Sequence, residues 1–432
     1  MNNLQATIIT DLGFGDNGKG ETTNRHCHRQ PNSVVIRYGG GSQAAHNAML
    51  PDGRHHTFSQ FGSGSFVPGV RTHLSRFMLF DPAAMVNEAK HLWQLTGRNP
   101  YELLTVDERA LVVTPFHKAA NRIREFLRGA NRHGSCGLGI GETACDALSW
   151  PNQALRAGQL RSPQAITEVF TFLQALKHEE FKEHLETLCQ QSPVSDEAKL
   201  LCDDKIIPWL VQSYQRVASQ VTVVSERYLQ LLAAEHNLVF EGAQGVLLDA
   251  NVGFHPYTTW STTTTANALT LLEEIKYRQP VTRIGVLRTY YTRHGAGPFP
   301  TEDSNLTATM PDLHNGTGRW QGIFRVGYFD AVLARYALAA TKGVDGLALT
   351  HLDRIPPLGQ ICTSYRLPSG EKLTDVAVPT TRAEQERVTE LVQSITPQYR
   401  TVSVDPDEYA KEIERELGVP IISRSFGPAA AQ

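Results

Sequence analysis

An α/β fold, with a large and mostly parallel central sheet covered by helices, is the architecture this chain predicts. Three observations predict it. Apolar strand-like runs recur at Ala6–Ile9, Ser33–Tyr38, Ala110–Thr114, Leu238–Phe240, Arg283–Leu287 and Gly346–Thr350. Segments of helical spacing stand between them, for example Pro82–Leu95, Thr263–Ile275 and Tyr328–Thr341. Glycine-rich clusters follow the runs, at 39–41, 134–141, 242–245 and 295–298. Apolar strands alternating with helices suit a sheet buried on both faces, and ligands of such sheets bind beyond the carboxyl ends of the strands.

The first run leads into Gly13-Phe14-Gly15-Asp16-Asn17-Gly18-Lys19-Gly20, and the polar segment Glu21–Arg29 then opens a helix. Strand, glycine turn and helix N-terminus make a phosphate cradle, since glycines let main-chain N–H groups face an anion and the helix dipole favours negative charge. Gly15, Asn17, Gly18 and Gly20, with Lys19, are the candidate phosphate positions. The spacing Gly13-x4-Gly18-Lys19 fits the phosphate-loop pattern except at Gly20, where a Ser or Thr should hold Mg²⁺. Asp16 is an acid beside a phosphate site. It suits a general base, or a Mg²⁺ ligand in place of the missing hydroxyl. A solvated turn residue is the plainer alternative, against which repulsion from a bound phosphate counts.

The second run ends in Arg37-Tyr38-Gly39-Gly40-Gly41-Ser42-Gln43-Ala44-Ala45-His46, which brings His46 to the top of the sheet. There it can donate to a transferring phosphoryl group. Residues 162–235 read as a mostly helical insertion. After Leu238–Phe240 comes Glu241-Gly242-Ala243-Gln244-Gly245, whose Gln244 amide can meet a carbonyl and a ring N–H together. Arg319 and Arg325 flank a glycine-containing loop and suit an acidic co-substrate, or are surface arginines. The last run closes in Thr350-His351-Leu352-Asp353. A carboxylate there can accept from guanine N1–H and amine, although His351 stands where a lysine is usual.

Composition narrows the classes. The 432-residue chain is 41% hydrophobic with formal net charge −3, so nothing in its charge favours nucleic acid or anionic membrane. Six scattered cysteines without a C-x-x-C pair suit a reduced, cytoplasmic protein. No secretory signal and no membrane-length apolar run is present. His26-Cys27-His28 and His55-His56 lack zinc-site spacing, and no Gly-x-Ser-x-Gly elbow occurs.

Taken in order, these motifs resemble the adenylosuccinate synthetase family, GTP-dependent ligases of purine biosynthesis. The segments that carry the resemblance are Gly15–Gly20, Gly40–His46, Glu241–Asp249, Gly295-Ala296-Gly297-Pro298-Phe299-Pro300-Thr301-Glu302 and Leu352-Asp353. It runs nearly end to end and implies one such domain over residues 1–432, with the helical insertion inside it. It implies Asp16, His46, Gln244 and Lys19 as catalytic residues, and a 6-oxopurine nucleotide such as IMP, GTP and L-aspartate or a related amine as substrates. It implies Mg²⁺ at Asp16 and Ala45, and nucleotide contacts from His351, Asp353 and Gly427. Gln43, Ser135, Cys136, Thr259, Thr317, Arg319 and Arg325 are implied for the acceptor and the amine. A cytoplasmic homodimer is implied as well.

Departures from the family pattern are uneven, and they include the guanine loop, here Ser423-Arg424-Ser425-Phe426-Gly427-Pro428. Ser135-Cys136 replaces a Thr-Thr pair, Leu138 an Arg, and Ala45 the Gly before the His. Residues 147–152 lack the arginine that reaches a partner subunit, and the aspartate loop has fewer arginines. The residues implied in phosphoryl transfer survive. The sequence therefore leaves open a different acceptor or amine, such as a guanine nucleotide or a nucleoside without its phosphate, or a non-catalytic nucleotide-binding regulator.

Overall fold

A computed structural model describes residues 4–50, 52–129, 132–190, 192–312, 315–316, 320 and 322–427. Its centre is a nine-stranded sheet. In chain order the strands are β1 (Ala6–Asp11), β2 (Ser33–Arg37), β3 (Arg71–Leu74), β4 (Leu104–Asp107), β5 (Thr222–Val224), β6 (Asn237–Glu241), β7 (Val281–Arg288), β8 (Gly346–Thr350) and β9 (Ile421–Arg424). They lie in the order β9-β8-β7-β1-β6-β2-β3-β4-β5. Every neighbouring pair is parallel. All carboxyl ends therefore face one edge, and the glycine clusters after β1, β2, β6 and β7 gather there.

Central strands are legible as apolar runs because both of their faces are buried: each residue of β1, β2 and β8 is buried. The run Ala110–Thr114 is a correction. Only Leu111–Val112 is extended, pairing with Leu79–Phe80 outside the main sheet. Thr114 caps the helix Pro115–Leu127, its hydroxyl accepting from the His117 N–H. The residues 162–235 hold the helices Pro163–Gln190, Ser195–Cys202, Ile207–Ala218 and Tyr228–Glu235. They also hold β5, an edge strand whose three residues are exposed or half-buried and so carry no apolar signature. Phe170, Phe181, Leu185 and Tyr214 of these helices share one hydrophobic cluster with Met85, Phe116 and Val106.

A second cluster lies beneath the other half of the sheet, where Phe14, Leu287 and Leu349 meet the helix Ala331–Ala340 and the strand Gln360–Arg366. Two antiparallel hairpins complete the site edge. His46–Met49 pairs with His55–Phe58, and Tyr291–His294 with Phe324–Gly327. No helix among the described residues is long and apolar enough to cross a membrane.

Candidate active site

The loop between β1 and the helix Lys19–Arg29 is built around a buried carboxylate. Asp11, the last residue of β1, accepts at Oδ1 from Gly13 N–H (2.9 Å), Gly15 N–H (3.3 Å) and Asn17 Nδ2 (2.8 Å). At Oδ2 it accepts from Asn17 N–H (3.0 Å) and Lys19 Nζ (2.9 Å). The helix begins at Gly18, in the left-handed region, and no side chain caps it. Its first N–H groups are left for an anion.

The structure also explains Gly20. A Cβ at this position would lie 2.8 Å from His46 Cβ and 2.9 Å from Asn47 O. The strand that carries His46 packs directly on the helix start and excludes the hydroxyl residue usual in phosphate loops.

His46 is buried, and its Nδ1 lies 2.6 Å from Glu241 Oε1 at the end of β6. Glu241 also accepts from Ser63 N–H (2.9 Å) and Ser63 Oγ (2.5 Å). Burial first, and then the nearby Arg37, push the imidazole down to about 4 against the pull of Glu241. Burial works to raise the Glu241 carboxyl, but Arg37 and His46 outweigh it and hold it below the usual range. Nδ1–H therefore donates to Glu241, and His46 Nε2 is buried without a partner. Asp16 adopts a left-handed backbone, φ 58°, and its side chain is 28% accessible. Burial raises its carboxyl above the ordinary value, opposed by His294, Lys19 and Arg288.

These groups line one cleft that opens to solvent. Asp16, Lys19, Ala45, His46, His351, Asp353, Ser425 and Gly427 all line it. The His351 ring is committed to the wall, with Nε2 2.6 Å from an Arg288 guanidinium nitrogen and Nδ1 2.8 Å from Thr350 Oγ1. Burial and then Arg288 hold it well below the usual histidine value, hence neutral.

Gly18 and Gly20 line the cleft as well, whereas Gln43, Ser135, Cys136, Gln244, Thr259 and Arg325 do not. Gln43 and Gln244 converge, for a Cβ on Gly40 would sit 3.4 Å from Gln43 Nε2 and 3.3 Å from Gln244 Oε1. Both amides hold buried polar atoms without a protein partner, as a site awaiting a polar ligand edge would. Ser135 Oγ accepts from Asn121 Nδ2 at 2.9 Å, and burial raises the Cys136 thiol. Thr259 donates its N–H to Leu248 O. Arg325 is ion-paired with Glu302 at 2.5 Å and also donates to Gly297 O. Thr317 and Arg319 lie outside the described residues.

Asp11, the partner role of Glu241, Arg288 and His294 escaped the sequence reading. Asp11 left one signal, a carboxylate closing an apolar strand beside a glycine loop. The other three are recognisable only once β1, β6 and β7 stand side by side.

Fold and cleft together define a nucleotide-dependent α/β enzyme that presents a carboxylate and a histidine to a phosphate cradle. A family model of adenylosuccinate synthetase matches residues 8–432, and the chain belongs to that family. Its members are GTP-dependent ligases that form a C–N bond between IMP and aspartate, and this chain is a ligase of that class. Adenylosuccinate synthetase of Mycobacterium leprae (strain TN) is 28% identical over 445 residues, 99% of this chain and 97% of the relative. That of Syntrophotalea carbinolica is 29% identical over 453 residues, 98% and 97% of the two chains. The fully ligated adenylosuccinate synthetase of Plasmodium falciparum superposes with TM-score 0.79 at 20% identity, covering 100% of both chains. Succinoaminodeoxyadenylate synthetase of cyanophage S-2L, solved with dGMP and with dATP as an energy donor, gives TM-score 0.60 at 17% identity. It covers 99% of this chain and 93% of that one. At these identities the two structures show a shared fold.

Proposed function

We propose that this chain activates the 6-oxygen of IMP or a close 6-oxopurine with GTP and joins the purine to L-aspartate, giving an adenylosuccinate-type product. The observation that carries this reading is one cleft holding the Asp11-braced loop, Asp16, the His46–Glu241 pair and Asp353. In it Asp16 takes the N1 proton of the purine, turning a poor carbonyl nucleophile into an oxyanion. The 6-oxygen attacks the γ-phosphorus of GTP, the bond to GDP breaks, and the amine then displaces phosphate from C6. Lys19 and the uncapped helix start hold the phosphates. With Glu241 ionised, a phosphoryl oxygen at Nε2 favours the imidazolium, which donates to both. Gln244 and Gln43 hold the purine edge, and Asp353 reads guanine.

Mg²⁺ fits here. The Asp16 carboxylate and Ala45, whose only donor is its main-chain carbonyl, face the same cleft. A hard cation with one or two protein ligands completes its shell from phosphate oxygens and water. When bound it would offset the repulsion between Asp16 and the nucleotide. We read the protein as a cytoplasmic homodimer by membership of the family.

One observation favours a second acceptor class. Three cations beside the loop 134–141 are engaged, Arg122 with Gly137 O and Glu197, Lys118 with Asp81, and Arg124 with Glu142, while Arg132 is exposed. Trp320 and Trp260 lie against that loop, 3.0 Å and 2.7 Å from where a Cβ on Gly137 and Gly141 would be. Such a surface would suit a sugar lacking a 5′-phosphate, or a phosphate held from elsewhere.

The test is phosphate release from GTP and Mg²⁺ with L-aspartate and, in parallel, IMP, inosine, GMP and dGMP, with products identified by mass spectrometry. Turnover with IMP supports the first reading. Turnover with inosine and not IMP supports the second. Undiminished turnover after Asp16→Asn would sink the mechanism.

A further inference from the structure

Asp16, the base of the function proposed above, sits beside a histidine that belongs to none of the motifs. His294 ends the strand Tyr291–His294, and its ring packs on Phe324 with centroids 4.8 Å apart. Its Nε2 lies 3.6 Å from Asp16 Oδ2 and 3.1 Å from Asn315 Oδ1. The first distance is a polar contact beyond hydrogen-bond length, and the second a hydrogen bond. Asn315 is fixed in turn, since its Nδ2 donates to Asp312 Oδ1 at 3.2 Å. The other oxygen of Asp312 accepts from Arg288 at 2.9 Å.

Asp16 needs such a partner. Its backbone is set by the left-handed turn of the phosphate loop, yet its carboxylate accepts no hydrogen bond from the described residues. The charged groups facing it are His294, Lys19, Arg288 and Asp11. Lys19 is held by Asp11, and Arg288 by Asp312, Thr292 and His351. His294 is the described side chain within ion-pair distance.

We propose that His294 is a positioning residue for Asp16: anchored by Asn315, it fixes the orientation in which the carboxylate meets the acceptor. The inference rests on the reading of Asp16 as the acceptor's base. It needs a donor at the Nε2 position and no change of charge on the imidazole. Misplacing a reacting group by about 1 Å costs about a hundredfold in rate, and a site residue holds its place only where its neighbours lock it.

Steady-state kinetics of His294→Ala, His294→Gln, Asn315→Ala and the His294→Ala/Asn315→Ala double variant test this on the full chain. Crystal structures of the wild type and His294→Ala accompany them. His294→Ala should lower kcat about ten- to a hundredfold, with KM for GTP and acceptor within about threefold and the thermal midpoint unchanged. Glutamine places an amide nitrogen near the imidazole Nε2, so His294→Gln should stay within about fivefold of wild type. The double variant should be no slower than His294→Ala, because the two residues act in series. The Asp16 side chain should have one rotamer in the wild type and several in His294→Ala. Wild-type kcat in His294→Ala, multiplying effects in the double variant, or an unmoved Asp16 rotamer would overturn the proposal. So would a fall in GTP affinity and thermal midpoint matching the fall in kcat, which marks a packing role. An inactive wild type with the expected rotamer change would instead fault the assigned reaction.

Discussion

Asp11→Asn asks whether one buried carboxylate holds the phosphate loop in shape. The two Asp11 oxygens divide five donors, three on Oδ1 and two on Oδ2. Asparagine offers one acceptor oxygen and puts an amide nitrogen at the other position. With its oxygen toward Gly13, its NH₂ faces the Asn17 N–H and the Lys19 ammonium, donor against donor. The flipped amide loses three acceptor contacts instead of two. Lys19 and Asp11 are 3% and 0% exposed, so water cannot replace the lost partner. Removing one member of such a pair costs about 3–5 kcal/mol. That corresponds to roughly a hundred- to several-thousandfold in the equilibrium for local opening. Hydrogen–deuterium exchange of a peptide spanning residues 11–20 in nucleotide-free protein should accelerate by two to three orders of magnitude. A non-hydrolysable GTP analogue should restore much of the protection, because phosphates give Lys19 a new partner. Acceleration of less than about tenfold would refute the reasoning and leave the Thr350 hydroxyl, which donates to Asn17 O, as the main brace.

Three further outcomes follow from the geometry. Gly20→Ser should lower kcat at least about a hundredfold without tightening Mg²⁺ binding, because its Cβ displaces the His46 strand; kinetics and a Mg²⁺ titration check this, and an active variant with tighter Mg²⁺ would contradict it. Asp353→Asn should erode the preference for GTP over ATP by about 1.5–3 kcal/mol in competition binding, the usual worth of a hydrogen bond to a charged group; an unchanged preference would remove Asp353 from guanine recognition. Burial raises the Asp330 carboxyl from 3.8 to about 6, against hydrogen bonds from Leu333 N–H and Tyr365 OH. A raised carboxyl adds stability that is full below the unfolded value near 3.8 and is lost as pH rises through 6. Asparagine keeps the cap, since Val332 and Leu333 N–H both bond Oδ1, and its NH₂ can donate to the Tyr365 oxygen. Asp330→Asn should therefore be more stable than wild type above pH 6.5, by up to about 3 kcal/mol, and nearly equal below pH 4. Urea midpoints across pH decide this, and a less stable variant at pH 8 would refute it.

The central strands and the phosphate loop were legible because their signals are local. An apolar run buried on both faces, followed by a glycine turn and a helix start, needs no knowledge of distant residues. Gly346–Thr350 was readable for this reason, and Arg71–Leu74, with its arginine and histidine, was not. Thr222–Val224 failed differently: three residues at a sheet edge carry too little apolar content to stand out from the helices around them. Ala110–Thr114 misled because a buried connector into a capped helix has the composition of a strand. In the site, Asp16, Lys19 and His46 announced themselves by their motifs. The Glu241 contact with His46 spans 195 positions, and the Arg288 contact with His351 spans 63. Neither pairing has a sequence spacing from which it can be read.

Backbone strain marks the same place independently of any motif. Five non-glycine residues of the described chain have positive φ: Asp16, Gln244, Lys276, Lys342 and His351. Lys276 and Lys342 sit just past the helices Ala266–Glu274 and Ala331–Ala340, where left-handed residues commonly end a helix. The other three follow β1, β6 and β8, at the carboxyl edge of the sheet. Each forgoes roughly 1–2 kcal/mol relative to a right-handed conformation. Glycine could have occupied these turns without that cost, so the side chains must be what the positions retain. Asp16 turns a carboxylate toward the cleft, His351 braces Arg288 in its wall, and Gln244 holds a buried amide oxygen without a protein partner. Asp16 and Gln244 are residues that the proposed reaction uses, and their backbone strain marks them apart from any motif.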